Sequence, residues 1–117
     1  MHGGLGREST WNNMAAIGPD FKHGFVDELP MGNIDLTPTL ASILGVELPS
    51  HGDLRGRVLA EALATGTAPS STRGVAVSAP DSSGQRTVLE YQESHGVRYY
   101  DRGCFITSAT EPKSCPK

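Results

Sequence analysis

The sequence predicts an α/β fold of short strands and two short helices, and three observations carry that reading. The stretch "NIDLTPTLASILGVELP" has the start, the period and the stop of a short helix. The runs "GVAVSA", "RTVLEYQ" and "VRYYD" have the β-branched and aromatic composition of strands. Fourteen glycines and eight prolines in 117 residues leave room for turns and little for long elements.

Residues 1–13 are Gly-rich and polar and read as a loop. Met14 to Ile17 is a short apolar run stopped by Gly18-Pro19, which fits a strand end or one helical turn. Phe21, Phe25 and Val26 supply weak apolar anchors before Pro30 and Gly32 punctuate the chain. In the helical stretch, Pro38 reads as a first helical position, where a missing N–H costs nothing. Thr37 or Asp35 is placed to cap it. Leu40, Ile43 and Leu44 form one apolar face, Gly45 suits a left-handed C-cap, and Pro49 prevents resumption. "GDLRGRVLAEALATG" predicts a second short amphipathic helix through Val58, Leu59, Ala62 and Leu63, ending near Gly66. "TAPSSTRG" reads as a linker, "ESHG" as a hairpin turn and "TSATEPKSCPK" as a tail that is loose unless Cys115 ties it back. Cys104 and Cys115 are either two unrelated thiols or a disulfide closing a short loop, and a disulfide implies an oxidising compartment.

The composition is globular, with 37% hydrophobic and 20% charged residues. A formal net charge of −3 gives no reason to expect a nucleic-acid or anionic-membrane partner. No apolar run is long enough for a transmembrane helix, and no signal-peptide pattern opens the chain. The apolar helix faces find no sufficient partner within the sequence, and two short helices with a few strands suit one edge of a larger α/β sheet. The chain therefore reads as an incomplete domain, and its opening "MHGGLGREST" as part of an active-site loop.

Three stretches taken together carry a resemblance: "HGG", then "MAAIGPDFKHGF", then "GNIDLTPTLASILGVELP" followed by "GRVLAEAL". Their order resembles the C-terminal segment of type I phosphodiesterases/nucleotide pyrophosphatases of the alkaline phosphatase superfamily. The resemblance covers residues 2–63, and the remainder matches loosely through "VRYYD". It implies that residues 1–66 are the C-terminal part of an alkaline-phosphatase-like catalytic domain. Residues 67–117 would then be a linker, a closing β-hairpin and a polar tail. It further implies a parent hydrolase acting on phosphate esters or nucleotides through two zinc ions, which stabilise the attacking and leaving oxygens. One metal ligand carries over, His2, because neutral imidazole is a good zinc ligand and flanking glycines let the backbone turn beside the metal. The nucleophile and the aspartate ligands of such a site have no counterpart in this sequence. The chain alone is expected to be inactive, to bind zinc weakly at most, and to have the remainder of the parent catalytic domain as its partner. A periplasmic or secreted location is expected for the parent.

Other residues have plainer readings. His23, His51 and His95 lie in loops or turns without the spacing of a metal site. Asp35 reads as a helix cap and Asp20 as a turn residue. Ser9-Thr10 lacks an identifiable base, "GGLG" lacks the lysine of a phosphate loop, and Trp11 reads as a partly buried anchor or a lid aromatic. Two function classes compete. One is an enzyme segment from such a phosphodiesterase, or from a related sulfatase or phosphomutase. The other is a non-catalytic remnant or interaction module that keeps the scaffold and needs no zinc.

Overall fold

A computed structural model describes residues 4–49, 52, 56–107 and 114–116. Its elements run α1 (Arg7–Thr10), α2 (Leu36–Leu44), a 3-10 turn at Ala60–Ala62, then β1 (Ser71–Val77), β2 (Gln85–Ser94) and β3 (Val97–Thr107). The strands form one antiparallel sheet in the order β1-β2-β3. The α/β class and the three strands agree with the sequence reading. The chain divides into two units.

One unit comprises Ala15–Ser71 with Ser94–Val97. Its helix α2 begins at Leu36 rather than Pro38, with Asp35 as the cap residue and no side-chain capping bond. Proline is tolerated one turn in because the first amides of a helix have no internal partner anyway. The expected C-cap is present: Gly45 has φ 64°, and the Val46 N–H reaches back to the Ala41 carbonyl at 2.9 Å. Of the apolar face Leu40, Ile43 and Leu44, Ile43 alone is half-buried. Thr39 is buried, whereas Leu40 is 52% and Leu44 72% exposed.

The second helix does not form. A single 3-10 turn stands in its place, for two reasons visible in the bonding. The Arg57 and Leu59 amides are engaged by the Asp35 carboxylate and the Thr39 hydroxyl, at 2.8 and 3.0 Å. Residues after the turn are drawn into pairing with an earlier segment: Phe21 and Leu63 form an antiparallel bridge, Lys22 N–H donates to Ala62 O, and Ala64 N–H donates to Asp20 O. Amphipathic spacing without free backbone donors is not sufficient for a helix. Gly56 is required here, since a Cβ would lie 2.1 Å from the Ile34 carbonyl oxygen. Met14–Ile17 is neither strand nor helix, and Ile17 is 96% exposed.

The other unit comprises Met1–Met14, Thr72–Glu93 and Arg98–Lys117. Asp81 organises the turn into β2 by accepting the Ser83 and Gln85 amides. The hairpin expected at "ESHG" is present, with His95 at φ 53° and Gly96 at φ 78°, the two positive values that a tight two-residue turn requires. Val88 of β2 is fully buried. On β1, Gly74 lets the Tyr91 ring lie against the backbone, where a Cβ would come within 2.4 Å of the ring. Tyr91 in turn meets Tyr100 edge-on at 6.4 Å, and Arg98 stacks 4.1 Å from its ring centre. Cys104 and Cys115 are bonded, which decides between the two cysteine readings and ties the tail at Cys115 to β3.

Candidate functional site

The residue expected to ligate metal, His2, lies outside the described residues, as does His51. The other sequence candidates are dispersed. His23 is exposed on a loop and His95 occupies the hairpin turn. Asp20 is exposed, and its carbonyl accepts the Ala64 amide. The Thr10 hydroxyl donates to the Asp101 carbonyl, so it is positioned as a structural donor rather than as a nucleophile beside a base. Trp11 is exposed. Among the described residues no group of three or more His, Cys, Asp or Glu side chains could hold a metal ion. The described residues therefore do not by themselves make up a dinuclear zinc centre.

The polar chemistry of the Ala15–Ser71 unit is concentrated inside it. Asp35, Thr39, Arg57 and Glu61 are all buried. Asp35 accepts the Arg57 amide on one carboxylate oxygen and the Gly32 amide on the other, both at 2.8 Å. Thr39 donates to the Asp35 carbonyl at 2.7 Å while accepting the Leu59 amide. The Arg57 guanidinium meets Glu61 through two parallel bonds and also donates to the Pro30 carbonyl at 2.8 Å. This is the geometry in which a buried ion pair is best compensated. Burial opposes the Glu61 charge, but the Arg57 hydrogen bonds prevail and hold its carboxyl below the ordinary range. Asp27 behaves in the opposite way. Burial, joined by repulsion from Glu61, raises it above the ordinary 3.8 despite the Leu29 amide on its Oδ1.

A surface depression of about 470 Å³ lies against Phe21, Lys22, His23, Phe25 and Ala64. Its cation is engaged: Lys22 Nζ donates to the Glu61 and Gly66 carbonyls at 2.8 and 3.0 Å and stands 5.2 Å from the Phe25 ring centre. Such a lysine fastens loops together and has little left for an anionic ligand.

The sequence signal for the Arg57–Glu61 pair is its i,i+4 spacing in "GRVLAEAL", which apolar periodicity overlooks. Asp35 reads from the sequence as a cap, and it does stand at the cap position, but its carboxylate holds Gly32 and Arg57 instead. No protein-family model, curated protein or solved structure matches the chain.

Proposed function

We propose that this chain is the C-terminal segment of a zinc-dependent phosphodiesterase or nucleotide pyrophosphatase of the alkaline phosphatase superfamily, inactive by itself. The ordered motifs from His2 to Leu63 carry this reading. The exposed apolar side chains on and after α2 support it: Leu36, Leu40, Leu44, Val46 and Leu48 line a stretch of surface that suits cover by further structure. In this reading the rest of the catalytic domain covers that surface and supplies the nucleophile and the remaining ligands. The present chain brings scaffold and His2. No catalytic step is assigned to its described residues, which form no metal-binding group. The Cys104–Cys115 disulfide suits an oxidising compartment, periplasmic or extracellular.

The same apolar surface favours a second reading, a non-catalytic interaction module whose partner covers α2. Within the enzyme reading, a related sulfatase or phosphomutase would differ in the nucleophile region. The deciding experiment is the size of the native gene product, read by immunoblot with an antibody against residues 64–117. The enzyme reading expects a band several times larger than 12.4 kDa. A band at that mass refutes it and leaves the interaction module.

A further inference from the structure

Four consecutive residues of β3 hold segments from both ends of the sequence. Asp101 and Gly103 hold the N-terminal segment through their backbones. The Asp101 carbonyl accepts the Thr10 hydroxyl, and the Gly103 amide donates to the Leu5 carbonyl at 2.6 Å. Arg102 and Cys104 hold the tail through their side chains. Arg102 donates to the Cys115 and Pro116 carbonyls at 3.0 Å each, and Cys104 is bonded to Cys115. Strand geometry explains the division of labour: alternate residues aim their backbone groups at the same edge and their side chains at the same face. Glu90 on the neighbouring strand completes the tail's seat, pairing with Arg102 at 2.7 Å and accepting the Cys115 amide at 2.7 Å. Gly103 permits the close passage of the N-terminal segment. A Cβ there would lie 3.2 Å from the Leu5 Cβ and 3.0 Å from a Leu89 methyl.

We propose that residues 101–104 form a redox-dependent clasp, in which the Cys104–Cys115 disulfide keeps the N-terminal segment seated on β3 and its reduction releases both segments together. The tail covers Val88, whose carbonyl faces the buried Cys115 sulfur, and it gives Arg102 two of its partners. Without the covalent tie the tail leaves. The end of β3 then frays, and the Asp101 and Gly103 seats lie one to three residues from the break. Reduction takes a dithiol. Its thiolate attacks one cysteine sulfur and expels the other, and its second thiol then displaces the mixed disulfide. Two electrons and two protons pass to the cysteines, leaving two thiols, and the reagent departs as its cyclic disulfide. Among the described residues the seated contacts run from Leu5 to Thr10. The proposal does not depend on the enzyme reading.

The test is amide exchange and the disulfide's reduction equilibrium in reduced and oxidised dithiothreitol, on the full 117-residue chain. Reduction is expected to speed exchange of the Gly103 amide by about tenfold or more. The Arg57 and Leu59 amides, held by Asp35 and Thr39, should keep their rates. Linkage is reciprocal, so unseating the N-terminal segment must loosen the disulfide. Thr10→Val, which removes the hydroxyl's bonds to the Asp101 and Gly6 carbonyls, is expected to raise the equilibrium constant for reduction about threefold. Gly103→Val should raise it further. A Gly103 amide indifferent to reduction overturns the clasp. So does a Thr10→Val chain whose reduction equilibrium matches wild type, whatever reduction does to the remainder of the fold.

Discussion

Replacing Asp35 tests the polar interior of the Ala15–Ser71 unit most directly. The side chain has no exposed surface, and its two oxygens satisfy the Gly32 and Arg57 amides, each at 2.8 Å. Asp35→Ala strands both donors. Hydrogen bonds to a charged group are worth about 1.5–3 kcal/mol, and a buried amide left unpaired costs about 1–3 kcal/mol. Both amides lie within one network, so simple doubling overstates the sum. The expected loss is about 3–5 kcal/mol. Asp35→Asn keeps the shape and one acceptor but turns an NH₂ toward the second amide, with an expected loss of about 2 kcal/mol. Urea unfolding at neutral pH gives both values as shifts in midpoint at constant slope. The order Ala below Asn below wild type is the signature. An Asp35→Ala chain within about 1 kcal/mol of wild type refutes the assignment of this carboxylate as the tie between the start of α2 and the Arg57 loop segment.

The Arg57–Glu61 pair and Asp27 give two further tests. Arg57→Met leaves the Glu61 carboxylate buried without its cation and is expected to cost about 3–5 kcal/mol in urea unfolding. Arg57→Met with Glu61→Leu should recover a good part of that loss, because an apolar pair of similar volume avoids the desolvation penalty. The pH dependence has opposite contributions from the two acids. Glu61 is depressed in the folded chain, so its contribution is present above the ordinary 4.5 and is lost as pH falls through its folded value. Asp27 is raised, so its contribution is present below 3.8 and is lost as pH climbs through its folded value. Asp27→Asn should therefore raise the urea midpoint at neutral pH and flatten the stability profile just above 3.8. A midpoint at pH 7 lowered by this substitution contradicts the sign.

What the sequence determined by itself was local. Strand runs, the hairpin at "ESHG" and the Gly45 stop of α2 were legible because φ preference, side-chain branching and turn chemistry act over a few residues. The tertiary structure decided what each face meets. The spacing puts Leu40 and Leu44 on one apolar face, which stays exposed, while Thr39 faces inward, because the chain returning at Arg57–Leu59 offers backbone amides that need acceptors. For the same reason "GRVLAEAL" did not become a helix: its amides and its Ala62–Ala64 stretch are held by residues some twenty to forty positions earlier. The Gly103 gap in a strand was equally unreadable, since the segment passing over it comes from the far end of the sequence. Periodicity reports which side of an element is apolar. Only the assembled backbone settles which donors, acceptors and neighbours that side will find, because those partners are set by long-range contacts that no local pattern encodes.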